Sequence, residues 1–393
     1  MSVCSVSLAF FSGWCFQLCP FVVAFQGNST VKKVILNRPH MLNALTYEML
    51  SQMIHKLKVY ENDSKVRLVI LKGTGRAFCT GGDVVALYNF MTAGHWSFGA
   101  SFFKKFLNLE YLVATYKKPL VALTDGMVMG GGAGVSMLAR FKIITENTVL
   151  AMPEAAIGSY VGETYLLSRL PGYLGEYLGL TGAQLDGAEI IACGLATHFV
   201  RSKDLQQLEN ALSEMATSET IEISQLISKF VGKPNLKQSS AINRLEIVNK
   251  CFSGETVEDI LLALEKQIEN GREEKWIVDA INSMKSSTPT GLKLFLRSVR
   301  EGRRYNQEGC MLLEYAVICH VIRRTVSNDF YKGVNAKLLG KGKKPEWQPS
   351  KLELVEEEMV ERCFGRVDEA EWEPLQLPPR SNLVQDNNMA SKL

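Results

Sequence analysis

The chain has no Cys-x-x-Cys pair, and its five histidines are isolated from one another. That argues against a zinc or other thiolate–imidazole centre. Net charge is slight, +3 over 393 residues, and no basic stripe is interleaved with aromatics, so nucleic acid is not expected as a partner. There is no internal repeat. Long apolar runs are scarce. The most apolar stretch, residues 1–25, lacks a basic n-region and is broken by Gly13 and Pro20, which leaves it marginal both as an export signal and as a membrane span. No stable membrane span is expected. The nine cysteines are scattered. Cys15 and Cys19 fall in the apolar leader, whereas Cys79, Cys193, Cys251, Cys310 and Cys319 sit in apolar or amphipathic segments and read as buried free thiols. That usage fits a compartment without oxidative folding.

What the chain does have is glycine at the ends of apolar strands. Arg67–Leu71 reads as a buried strand and runs into GRAFCTGGD (Gly75–Asp83), then a helix from Val84. Leu120–Leu123 is a second strand, followed by GMVMGGGAGVS (Gly126–Ser136). Glycine lets a backbone approach a ligand closely, and N–H groups at a strand-to-helix junction are free to donate. Two such turns supply two donors to one oxygen, and Glu154 follows the next apolar run as a lone carboxylate. Backbone donors facing a carboxylate suit chemistry on an acyl carbonyl.

Strand and helix patterns alternate from Val31 to about residue 203, which predicts an α/β core. Expected helices include 46–60, 84–91 and 98–115. Beyond residue 203 strand signals give way to amphipathic helices over 204–231, 256–270, 274–287, 292–301 and 311–326. The expected division is an apolar leader (1–27), an α/β core (28–203), a helical C-terminal region (204–375) and a flexible tail (376–393). The tail ends Ser391-Lys392-Leu393, a peroxisomal import signal. An import receptor is therefore an expected partner, with a mitochondrial address as the alternative. Self-association into a homo-oligomer is left open.

NRPHMLNAL (Asn37–Leu45), the two glycine motifs, AMPEAAIG (Ala151–Gly158), the block Leu167–Val200, TPTGLKLFLRSVREGR (Thr288–Arg303) and DFYKGVNAKLL (Asp329–Leu339) together resemble the crotonase (enoyl-CoA hydratase/isomerase) superfamily. Within it the chain is similar to the 3-hydroxyisobutyryl-CoA hydrolases of plant peroxisomal type. The resemblance implies a crotonase-like ββα spiral with a helical C-terminal extension. It also implies an acyl-CoA substrate, no cofactor beyond the coenzyme A of that substrate, and thioester hydrolysis in valine breakdown. By motif, the N–H groups of Thr80 and Gly131 form the oxyanion hole, and Glu154 is the nucleophile or general base. Gly130, Gly131, Gly132, Asp83 and Glu154 contact substrate. Lys32, Lys33, Arg38 and Lys72 are candidates for the phosphates of coenzyme A.

Three departures from the family pattern stand out. The hydratases' second glutamate is replaced by Gly134, which points to a one-carboxylate site suited to hydrolysis. The hydrolases' Pro-Asp pair is missing from the shorter loop Gly158–Tyr165, where Glu163 is the nearest acid. Phe106 stands where the family often has Glu. The last two predict a less polar pocket. The alternatives are another crotonase-type acyl-CoA enzyme, or a catalytically impaired homologue with a structural role.

Overall fold

The computed structural model describes residues 22–160, 162–340, 342–369 and 372–380. Its strands are β1 (Val23–Gly27), β2 (Val31–Leu36), β3 (Leu68–Gly73), β4 (Ala77–Cys79), β5 (Leu120–Thr124), β6 (Met127–Met129), β7 (Phe141–Ile144), β8 (Val149–Ala151), β9 (Leu185–Asp186) and β10 (His198–Phe199). They form two sheets, in the orders β1-β2-β3-β5-β7-β10 and β4-β6-β8-β9. The β1–β2 and β8–β9 pairs are antiparallel and the others parallel. The chain steps repeatedly from one sheet to the other: β3 to β4, β5 to β6, β7 to β8. That repetition is the ββα spiral.

The central strands are apolar throughout because both faces of the larger sheet are covered. Side chains alternate between faces. Leu68, Ile70, Val121, Leu123, Phe141 and Ile143 meet Leu208, Leu212, Ile223 and Ile227 on one side. Val69, Leu71, Leu120, Ala122 and Ile144 enter the main core on the other.

The helices of the first half are α1 (Tyr47–Asn62), α2 (Val84–Ala93), α3 (Ser97–Ala114), α4 (Gly131–Met137), α5 (Thr164–Ser168), α6 (Leu174–Thr181) and α7 (Gly187–Ala192). The second half holds α8 (Ser202–Ser213), α9 (Thr220–Ser228), α10 (Leu245–Phe252), α11 (Val257–Glu269), α12 (Lys275–Ser286), α13 (Pro289–Gly302), α14 (Gln307–Arg323), α15 (Asp329–Val334) and α16 (Glu357–Phe364). Caps set several boundaries. The Thr46 side chain accepts from Met49 N, and Thr256 with Asp259 forms a capping box on α11.

Four expectations need correction. The leader does not reach residue 27, because residues 23–27 pair with 32–36 at the sheet edge; residues 1–21, with Cys15 and Cys19, lie outside the described residues. The single helix expected over 204–231 is two helices, α8 and α9. Thr217 breaks it, its hydroxyl accepting from Glu219 N, a local bond that competes with helix. Nor is the helical region separate from the α/β core: α8 and α9 seal the sheet, and Cys319, Ile322 and Phe330 share the main cluster with Phe102 and Phe106. The tail, finally, stays attached beyond residue 376. Arg380 makes two bonds to Glu61, of 3.0 and 2.6 Å, while Ser391-Lys392-Leu393 lies outside the described residues. Cys79, Cys193, Cys251, Cys310 and Cys319 are buried, as expected. Among the described residues no helix is long and apolar enough to cross a membrane.

Candidate active site

Two backbone turns are brought edge to edge. The first leaves β4 at Cys79 and passes through Thr80, Gly81 and Gly82 into α2. Gly81 has φ +81°, and a Cβ there would stand 3.1 Å from Met129 O and 3.3 Å from Gly131 N. Leu45 N donates to Gly81 O (2.8 Å) and Asp83 N donates to Leu45 O (2.9 Å). Those two bonds bracket Gly82, whose own N–H points the other way, as successive amides of extended chain do. The Thr80 hydroxyl donates to Leu42 O at 3.2 Å.

The turn is braced from behind by NRPHMLNAL. Asn43 is fully buried and donates to Thr74 O (2.9 Å) and Ala77 O (2.8 Å), while its Oδ1 accepts from Arg38 N. Asp83 caps α2, accepting from Ala86 N, and pairs with Arg38 Nη1 at 2.7 Å. Asp83 is not on the cavity wall, so the structure makes it a brace and not a direct substrate contact.

The second turn needs a glycine at each of three positions, for three different neighbours. Gly130 has φ +49°, and a Cβ would lie 2.2 Å from Glu154 Oε1. At Gly131 it would strike the Phe106 ring at 2.2 Å, and at Gly132 the Cys79 carbonyl oxygen at 2.3 Å. Gly132 therefore packs the two turns together behind the cavity. Gly130 N is engaged with Ala151 O. Among the described residues nothing accepts from the Gly131 or Gly82 N–H.

Thr80, Gly81, Gly82, Gly130, Gly131 and Glu154 line one cavity of about 150 Å³. Phe102, Phe106, Leu107 and Glu110 come from one face of α3 at helical spacing, Phe102 stacking on Phe106 at 6.0 Å. Tyr160, Glu163, Glu314, Ile318 and Phe330 close it. Four glutamates thus share the cavity, and among the described residues no Lys, Arg or His lines it.

Unpaired carboxyls in a dry pocket hold their protons. Burial pushes the Glu154 carboxyl up to about 7; its own backbone N–H works against that and the Glu314 charge adds to it. Glu154 Oε2 is inside, without a donor among the described residues. Burial raises Glu314 to about 7 as well, against bonds from the Thr164 and Glu163 backbone. Glu110 and Glu163 are both raised well above the usual carboxylate range, first by burial and then by charge repulsion within the cluster. Burial pushes the Cys79 thiol up to about 12, which keeps it protonated and poorly nucleophilic.

The expectations of one carboxylate and of a less polar pocket are therefore overturned. Phe106 does occupy the α3 position where a glutamate was sought, but Glu110, one turn further along the same face, enters the cavity. A Cβ on Gly134 would stand 1.9 Å from Glu110 Oε1 and 2.7 Å from Glu163 Oε1. The glycine makes room for acids supplied by other elements. Sequence reasoning missed Glu110, Glu314 and Gly82. One signal was available: Glu110 is the only acid in α3, among apolar neighbours on its buried face. Glu314 offered none, since its partners lie some 150 residues away.

The four basic candidates are engaged elsewhere. Lys33 and Lys72 both pair with Glu209, at 2.7 and 2.5 Å. Lys32 Nζ donates to Asn28 O, and Arg38 is in the brace.

Comparison with known proteins identifies the family. A family described as Enoyl-CoA hydratase/isomerase matches residues 31–364. Two Arabidopsis thaliana proteins, named "Probable 3-hydroxyisobutyryl-CoA hydrolase 3" and "3-hydroxyisobutyryl-CoA hydrolase 1", are each 47% identical over 92% of this chain; the matches span 96% and 95% of their own lengths. A solved structure of a carnitinyl-CoA dehydratase from Mycobacterium thermoresistibile superposes with a TM-score of 0.81 at 32% identity, covering 90% of this chain and 98% of that one. The chain belongs to the enoyl-CoA hydratase/isomerase family, in its 3-hydroxyisobutyryl-CoA hydrolase branch.

Proposed function

We propose that this protein hydrolyses a short 3-hydroxyacyl-CoA thioester, 3-hydroxyisobutyryl-CoA before others, to the free hydroxy acid and coenzyme A. The observation that carries the reading is Glu154. Its buried carboxyl packs on Gly130, beside a wall that offers free backbone amides. The thioester oxygen is held by the Gly131 N–H and an amide of the Thr80–Gly82 turn, where Gly82 is the residue whose N–H is free. As the carbonyl becomes tetrahedral its oxygen gains charge, and each preorganised donor contributes about 3–4 kcal/mol. Ionised Glu154 takes the proton of an attacking water and returns it to the departing sulfur, so that coenzyme A leaves as the thiol; or it attacks the carbonyl itself to form an acyl anhydride with release of the thiolate, and water then splits the anhydride, frees Glu154 and supplies the proton to the sulfur. No cofactor is needed beyond the coenzyme A of the substrate. Valine breakdown is the route in which such a thioester arises.

Release of coenzyme A from 3-hydroxyisobutyryl-CoA by purified protein, with Glu154→Gln as the control, is the test. Equal release by both proteins would remove Glu154 from the mechanism. A second reading, reversible hydration of an enoyl thioester, is favoured by one observation: Glu110 fills the space beside Gly134 and restores a second acid to the site. An assay on crotonyl-CoA separates the two. A catalytically impaired homologue would act on neither thioester.

We also propose peroxisomal import through Ser391-Lys392-Leu393. A fluorescent protein fused to the N-terminus should enter peroxisomes with the full chain and stay outside when Leu393 is removed. Mitochondrial import of both would refute this.

A further inference from the structure

Glu163 is held in an unfavourable backbone conformation, with φ +59°, where a residue with a Cβ is rarely found. Its carboxyl lies against the Gly134 backbone and reaches into the cavity. Glu110 arrives from α3 on the other side of the same glycine. The space above Gly134 is where the two carboxyls meet, 1.9 and 2.7 Å from the point a Cβ would occupy. Two ionised carboxylates are acceptors only, so a bond between them needs one shared proton. Burial and neighbouring charge act against ionisation of both, but the bond between them raises Glu110 and lowers Glu163, which makes Glu110 the partner that carries the proton. Its Oε1 finds no donor elsewhere among the described residues. Glu314 is already committed, accepting from Thr164 N. The surrounding wall is apolar: Phe102, Phe106, Leu107, Ile318.

A proton-sharing acid pair left facing an apolar cavity is costly unless a ligand satisfies it. We propose that the Glu110–Glu163 pair is the hydroxyl-reading element of this pocket: Glu163 accepts the hydroxyl proton of a 3-hydroxyacyl chain, and Glu110 holds Glu163 in place as its proton donor. This rests on the reading that the acyl thioester occupies the cavity. A plain acyl group would set a methyl against Glu163 and leave its charge unanswered in a dry site. Sites built to bond a hydroxyl discriminate strongly against analogues lacking it. Glu163 is then the specificity-determining residue and Glu110 a positioning residue.

The test is made in a Glu154→Gln background, so that thioesters bind without turnover. Calorimetry gives the dissociation constants of 3-hydroxyisobutyryl-CoA and isobutyryl-CoA. The hydroxylated ligand is expected to bind about 10- to 100-fold more tightly, the worth of one hydrogen bond to a charged group. Adding Glu163→Gln should bring that preference to within about threefold. Glu110→Gln, whose amide still donates to Glu163, should keep the preference, and Glu110→Leu should lose it. The proposal is overturned if Glu163→Gln leaves the preference intact or weakens both ligands equally. It is also overturned if the two Glu110 variants behave alike, or if neither thioester binds. Release of coenzyme A by the protein with Glu154 in place is read separately. No release, with the binding preference retained, would refute hydrolysis and leave the role of this pair standing.

Discussion

Glu154→Gln exchanges a carboxyl for an amide of nearly equal size and removes the cavity acid that packs on the Gly130 turn. Gln cannot take a proton, so kcat should fall about 10²- to 10⁴-fold, which is about 3–5 kcal/mol of barrier. The pH dependence is a sharper check. With the carboxyl at about 7, the reactive ionised form is about a tenth of the protein at pH 6, half at pH 7 and nine-tenths at pH 8. Hydrolysis by the wild type should therefore rise about ninefold from pH 6 to pH 8. The residual rate of Glu154→Gln should not follow that curve. Stability should move the opposite way. A pKa raised on folding adds stability that is complete below the unfolded value and lost as pH climbs through the folded one. The shift from 4.5 to about 7 corresponds to up to about 3 kcal/mol, so the variant should match the wild type near pH 4.5 and exceed it at pH 8. The thiol product can be trapped with a pyridyl disulfide, which works across this range, and melting curves report stability. A wild-type profile flat between pH 6 and 8, or a variant keeping more than about a tenth of the rate, refutes the role of Glu154.

Gly130→Ala would place a methyl 2.2 Å from Glu154 Oε1 at φ +49°. Displacing that carboxylate should lower kcat by about 10²-fold or more while the circular dichroism spectrum stays unchanged; wild-type turnover would show that contact to be idle. Arg380→Ala should strip the buried Glu61 of its bidentate partner, a loss of about 3–5 kcal/mol seen as a lower Tm. Glu61→Gln with Arg380→Met should recover part of it, and an unchanged Tm in the single variant would mean that the C-terminal segment does not brace the body.

Much of the site was legible because glycine and strand signals are local. A buried parallel strand shows itself as an apolar run, and a glycine turn after it marks a junction where amides are free. Those two features located the Thr80–Gly82 and Gly130–Gly132 turns and the acid at Glu154. Asp83 and Arg38 were read from the same motifs as ligand contacts, whereas the structure pairs them with each other. A charged residue beside a glycine turn looks alike in sequence whether it faces ligand or clasps the neighbouring loop. The acid cluster was hidden for another reason. Glu110, Glu163 and Glu314 lie on three helices or helix ends, and what unites them is the empty space over Gly134, which one sequence read alone reports only as a missing side chain.

The sequence by itself determined the α/β alternation, the two glycine turns and the carboxylate beside them, since each depends on neighbours a few residues apart; the ββα spiral was legible only through the resemblance to the crotonase superfamily. The tertiary structure alone decided how many acids share the cavity, which of them hold protons and which basic residues are already paired. Those properties depend on burial and on distances between segments far apart in the chain, and neither is set until the helices after residue 203 close over the core.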